Sequence, residues 1–251
     1  MNNIQHLSKL ITEIKNPLSP SNANNLIKGI ELFTGFCLYL VCDGLTKKKD
    51  STFKITSEIF DGNIIANMPK NEIEKYSKAA SAAYHYVHII KQEEAFTDVL
   101  SELFEDLYLT GKNGDGLGQF LTPMDISSLT ASLQASSDPS GTFYEECCGA
   151  GSMTLARLRE RCRREGHYLE QAVQMNDIDP LMVKMAIVQI MAPVAFKDVD
   201  IKSVKIFNGA VKLDKIPALV FSEELPANDI KASIHSTDRG LLSFLRVLIV
   251  S

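Results

Sequence analysis

The chain reads as an α/β protein. A helical N-terminal domain over residues 1–115 precedes a domain of alternating strands and helices over 116–251, C-terminally shortened. Three observations predict this. Apolar residues recur at helical spacing, with few breakers, through most of the first part. A glycine-rich linker, Lys112 to Gly118, separates the two parts. Beyond it, short apolar strands alternate with helical runs, the pattern of a parallel, doubly wound sheet.

The elements follow in order. Ile4, Leu7, Leu10, Ile11 and Ile14 form one helical stripe; Leu26, Ile30, Phe33 and Cys37 begin a second that runs to Val41. Asp43-Gly44 is expected to end that helix, before the Lys47-Lys48-Lys49 run. An extended piece spans Phe53 to Ile59, with a turn at Asp61-Gly62-Asn63. Glu72 to Leu109 predicts two helices, broken near Gln92 to Phe96. Thr122-Pro123-Met124-Asp125 starts another: Thr suits an N-cap, Pro the first turn, and Asp the positive end of the helix dipole. Strands are expected near Thr142–Glu145, Ala172–Asn176, Val204–Phe207 and Ala218–Phe221, with helices over 151–165 and 180–191.

Composition narrows the function classes. The 251 residues are 45% apolar and 23% charged, as in ordinary globular proteins. The longest apolar-rich stretch, Phe33 to Val41, reads as too short for a membrane span, and Met1 to Asn16 lacks a signal peptide's apolar core. Five cysteines without zinc-type spacing read as reduced thiols, which points to the cytoplasm. A net charge of −5 argues against a stand-alone nucleic-acid binder with a broad basic face.

The most informative stretch is Glu145-Glu146-Cys147-Cys148-Gly149-Ala150-Gly151-Ser152-Met153. Strand, Gly-x-Gly turn, then helix is the local grammar of a nucleotide-cofactor site, because glycine permits both a tight turn and close approach of a ligand. In a parallel sheet, ligands sit at the carboxyl ends of the strands. The next such end carries Asn176-Asp177-Ile178-Asp179, where a carboxylate can accept both hydrogen bonds of a ribose diol. Thr154 stands where a dinucleotide loop would place its third glycine, which favours an adenosyl cofactor without a pyrophosphate. The competing reading has Asp177 cap the helix that begins at Pro180 and the glycines merely turn the chain.

Three blocks in order carry a resemblance: Phe96 to Phe104 (FTDVLSELF), Gly118 to Pro123 (GQFLTP), and Glu146 to Met153 (ECCGAGSM). Together they resemble the N6-adenine DNA methyltransferases, in particular the modification subunits of type I restriction systems and their plasmid and phage relatives. The likeness runs over roughly residues 90–221. It implies a Rossmann-like, S-adenosylmethionine-dependent methyltransferase domain acting on DNA. It also implies pairing with a specificity or other restriction-modification subunit, and no membrane or metal. Gln119, Phe120, Thr122 and Pro123 match the block at the methionine end of the cofactor. Glu146, Gly149 and Gly151 match the glycine loop, Asp177 the ribose-binding acid, and Asn208-Gly209 the turn near the adenine ring.

One block departs from the family. Its catalytic Asn/Asp-Pro-Pro-aromatic sequence, expected after the fourth strand, is missing; Ala218 to Phe221 is followed by Ser222-Glu223-Glu224. Ser222 and Glu223 are the only candidates at that place. The alternative to an active enzyme is therefore a catalytically inactive member acting as a cofactor- or partner-binding regulatory module.

Other groups read as structural. Arg157, Arg161 and Arg164 share a helix face with Glu160 and Glu165 nearby, the pattern of a solvated face rather than a phosphate patch. His85 and His88 read as packing residues, and Cys147-Cys148 as small fillers at a strand end.

Overall fold

The computed structural model describes residues 3–14, 22–48, 52–105, 107, 122–134, 141–211 and 217–224. Three helices build the first layer: α1 (Asn3–Thr12), α2 (Asn22–Lys47) and α3 (Ile73–Gln92). A short strand, β1 (Thr52–Ile55), lies between α2 and α3 in sequence, and the brief helix α4 (Leu100–Phe104) follows. After α5 (Met124–Gln134) the chain alternates β2 (Thr142–Glu145), α6 (Ser152–Glu165), β3 (Tyr168–Asp177), α7 (Pro180–Phe196) and β4 (Asp200–Asn208). It then turns back into β5 (Ala218–Glu224). The linker over 112–118 and the segment Leu241 to Val250 lie outside the described residues.

The sheet order is β1-β5-β4-β3-β2. β2, β3 and β4 are parallel, whereas β5 runs antiparallel to both β4 and β1. The all-parallel, doubly wound sheet expected from the alternation is therefore a mixed one. The reason is the length of the last connection: the segment from 209 to 217 is too short for the dozen or more residues of a parallel crossover. Two consecutive crossovers in one direction, β2 to β3 to β4, place α6 and α7 on the same face when both are right-handed.

That face holds the core. Val173, Met175, Val204, Ile206 and Phe221 are buried beneath the helices, and Phe53 of β1 stacks on Phe221 with ring centroids 6.3 Å apart. On the opposite face most side chains are half-buried or exposed, with Tyr144 at 46%, although Asn176 at the end of β3 is buried.

Two expectations about the first part are revised. The sheet crosses the proposed boundary at 115, because β1 pairs with β5 and one apolar cluster unites residues of α1, α2, α3, α7 and the sheet. Also, α2 passes straight through Asp43-Gly44. A Cβ at Gly44 would lie 2.9 Å from the Phe196 ring and 3.0 Å from Ala195 Cβ. The glycine serves close approach of α2 to α7, and tertiary contact overrides its tendency to end helices. Helix α2 is long and apolar enough to cross a membrane over Asn25–Lys47, longer than the stretch seen in the sequence. Its apolar residues, among them Phe33, Cys37, Leu38, Val41 and Leu45, are buried in the core.

Candidate cofactor site

The carboxyl ends of β2, β3 and β4 meet at one edge of the sheet. The loop after β2 turns through Gly149 (φ 53°) and Gly151 (φ 99°), both in the left-handed region that side chains disfavour. A Cβ on Gly151 would also stand 3.2 Å from the Met175 methyl. Gly151 ends the loop as the residue preceding α6.

Asp177 closes the end of β3. Its Oδ2 accepts from the Gly149 amide at 2.8 Å and its Oδ1 from the Asp179 amide at 2.9 Å. Capping of α7 falls instead to Asp179, whose Oδ1 accepts from the Leu181 amide at 2.8 Å, with Pro180 in the first turn. The structure thus removes the reading in which Asp177 is a helix cap. Its carboxylate ties β3 to the glycine loop and keeps acceptor capacity beyond these two bonds.

Asn208 and Gly209 end β4. Asn208 Nδ2 donates to the Asp177 carbonyl at 2.9 Å and the Ile178 carbonyl at 3.2 Å, and the Gly209 amide donates to the Asp177 carbonyl at 3.1 Å. These contacts hold the third strand end against the second.

Thr122 and Pro123 precede α5, which packs on α6. Gln119 and Phe120 lie outside the described residues. Glu146 is exposed, and its part in the loop is a carbonyl that accepts from Asn176 Nδ2 at 3.0 Å.

Ser222 and Glu223 do not reach this edge. Because β5 is antiparallel, its first residue, Ala218, stands opposite Asn208, while Ser222 stands opposite Lys205 and Glu223 opposite Val204. Both therefore lie back along the sheet, and Glu223 is buried there between β1 and β4.

Four residues that the sequence reading did not single out shape the site. Glu145 points to the helix face, where Thr154 Oγ1 donates to its Oε2 at 2.5 Å. Burial is the main cause that raises its carboxyl to about 7, with Asp177 and Asp98 adding to the rise and Thr154 opposing it. The hydroxyl at position 154, where a dinucleotide loop has glycine, thus has its own partner. Asn176, 1% exposed, bridges the loop after β2 to the turn after β4 through Glu146 and Gly209 carbonyls at 3.0 and 3.1 Å. Gln189 of α7 accepts from the Val99 and Leu100 amides, both at 2.8 Å. It donates to Asp98 Oδ1 at 2.9 Å and to the Ala150 carbonyl at 3.0 Å. Asp98 in turn accepts from the Ser101 amide at 3.1 Å, and Ser152 bonds Ser101 at 2.9 Å. The block around Phe96 is thereby fastened to the glycine loop, with Phe96 itself buried at a φ of 63°. A lone glutamine inside the apolar run from Ala186 to Val194 is the sequence signal for this anchor.

The arginine face of α6 is compensated. Arg161 bonds Glu165 at 2.5 Å, Arg164 bonds Glu160 at 2.8 Å, and Arg163 grips Glu94 at 2.5 and 2.6 Å. Arg157 lies 4.8 Å above the Phe143 ring. Cys147 is exposed and Cys148 buried, with burial holding the Cys148 thiol far above the usual range. Among the described residues, no three His, Cys, Asp or Glu side chains gather as a metal would require. His85 meets the His6 ring edge-on at 4.7 Å and stacks on His88 at 6.3 Å.

This set fits an adenosyl cofactor. It offers a carboxylate for ribose hydroxyls, a glycine loop without side chains in the way, and no helix-N-terminal glycine triplet for a pyrophosphate.

Residues 92–215 match the N-6 DNA methylase family. A solved structure from Listeria monocytogenes, described as a class I S-adenosylmethionine-dependent methyltransferase, is similar at 14% identity with a TM-score of 0.47. The likeness covers 86% of this chain and 56% of that one, so the chain spans about half the length of that relative. No curated protein matches the chain.

Proposed function

We propose, from the match of residues 92–215 to the N-6 DNA methylase family, that the chain is an S-adenosylmethionine-dependent DNA methyltransferase of the adenine-N6 type. The observation that carries the reading is the meeting of the glycine loop, Asp177 and Asn208 at one sheet edge. The bound cofactor supplies an electrophilic methyl group. Asp177 receives its ribose hydroxyls, Gly149 and Gly151 let the loop backbone lie close beneath it, and Asn208-Gly209 faces the adenine ring. Gln119, Phe120, Thr122 and Pro123 border its methionine end, and Glu146 contributes through its carbonyl.

Methylation of an exocyclic amino group requires the target base out of the stack and held against the methyl donor. Catalysis is then largely the positioning of two bound partners, without a covalent intermediate. Ser222 and Glu223 lie back along the sheet from this edge. A specificity or other restriction-modification subunit supplies DNA recognition, consistent with a net charge of −5 and a compensated arginine face. Five free cysteines accord with a cytoplasmic protein.

One observation favours a second reading: the chain contains no Asn-Pro-Pro-aromatic block. On that reading it is a cofactor-binding regulatory module. Calorimetric titration with S-adenosylmethionine tests the site itself. Micromolar binding, weakened at least about tenfold in Asp177→Ala by loss of charge-assisted hydrogen bonds, is expected. Absence of binding sinks the cofactor assignment. Transfer of labelled methyl groups to duplex or single-stranded DNA, with and without a partner subunit, then separates enzyme from module.

A further inference from the structure

A cavity of about 380 Å³ opens between α2, the loop after β1 and the first turns of α7. It lies apart from the glycine loop, on the β1 side of the sheet. Because β1 runs parallel to β2, β3 and β4, the loop that follows it leaves at the same carboxyl edge. Its volume is in the range of small-ligand pockets.

The lining combines three chemistries. Lys28 of α2 and Lys184 of α7 reach the cavity from different helices, and neither makes an ion pair or hydrogen bond among the described residues. Lys75, by contrast, is held by Glu72 at 3.3 Å. Glu31 and Asp61 bring carboxylates, and the Phe60 ring joins Leu32 and Leu38 in an apolar wall. Gly35 belongs to the same wall. A Cβ there would stand 3.0 Å from Ile64 Cδ1, so the glycine keeps this side of the helix low, at a helix-propensity cost of about 1 kcal/mol.

Two ammonium groups held in no ion pair among the described residues attract an anion, carboxylates accept from hydroxyls, and an aromatic face takes a planar ring. We infer that this cavity is a second ligand site, for a nucleotide unit. Its phosphate sits between Lys28 and Lys184, its sugar hydroxyls at Glu31 and Asp61, and its base against Phe60. A free mononucleotide and a nucleotide of a nucleic-acid strand share this chemistry. The inference does not rest on methyl transfer, since it uses none of the residues of the glycine loop.

The test is calorimetric titration of the intact chain with adenosine 5′-monophosphate and, separately, with a short single-stranded oligonucleotide. Saturable binding of either probe is expected, weakened at least about tenfold in both Lys28→Glu and Lys184→Glu. Both substituted side chains lie at the surface or half-buried, and circular dichroism verifies that each variant is folded. Binding of the mononucleotide identifies a free nucleotide as the source, and binding of the oligonucleotide alone identifies a strand. Asp177→Ala is expected to leave this binding unchanged. The inference is overturned if neither probe binds, if both lysine variants bind as the parent does, or if Asp177→Ala abolishes binding.

Discussion

At the scale of single residues, Glu145 shows how strongly the fold controls a charge. Its carboxyl is raised to about 7 by burial beside Asp177 and Asp98. A raised carboxyl favours the protonated folded state. The stability it lends is therefore fully present below the unfolded value near 4.5 and is lost as pH rises through about 7. Urea unfolding should show the protein losing up to about 2 kcal/mol between pH 5.5 and 8 from this group. Glu145→Gln keeps an acceptor for Thr154 and should remove that share of the slope; an unchanged slope would place the titration elsewhere. Gly149, Gly151, Asp177 and Asn208, picked out by their chemical signatures in the sequence, all stand at the sheet edge. Glu145 and Asn176 were not legible there, because their roles depend on which face of a strand they occupy. In β2 the alternation places Glu145 with Phe143 on the helix side and leaves Glu146 exposed.

Among the elements, helices were read more faithfully than strand order. Periodicity marks a helix locally, whereas the direction of β5 depends on the length of the connection before it. Gly44 was misread for a related reason: a terminator signal is local, but the Phe196 ring that needs the missing side chain is remote in sequence. Gly44→Ala should cost roughly 1–3 kcal/mol in thermal or urea unfolding through overpacking, whereas the usual exchange in an open helix stabilises. The Gln189 anchor joins three elements. Gln189→Leu takes one donor from the Asp98 carboxylate and leaves two amides and a carbonyl without the glutamine, and should destabilise by about 3 kcal/mol or more. The same change is expected to weaken S-adenosylmethionine binding in a calorimetric titration, because Ala150 belongs to the glycine loop.

For the whole molecule, the sheet and the N-terminal helices share one core. Phe53 stacks on Phe221, α2 lies along α7, and Lys48 reaches the Val194 and Val199 carbonyls at 3.1 and 3.0 Å. A fragment over residues 116–251 would expose the α7 surface that α2 and α3 cover and would lose the outer partner of β5. Produced alone, it should lack a cooperative unfolding transition by circular dichroism, while the full chain shows one. A sharp transition in the fragment would restore the division at 115 read from the linker. That division was a reasonable inference from a glycine-rich stretch, but sequence carries no mark that β1 pairs with a strand so far along the chain.

Asn208-Gly209 is also a sequence open to deamidation. In an open chain, the glycine amide nitrogen attacks the asparagine side-chain carbonyl and ammonia leaves. Here both reacting groups are occupied: Nδ2 is held by the Asp177 and Ile178 carbonyls, and the Gly209 amide by Asp177. Deamidation therefore proceeds only through opened molecules, and its rate in storage follows the population of those molecules. Water then opens the resulting succinimide to a carboxylate where the amide had donated to two carbonyls, so each event makes the strand end harder to close again.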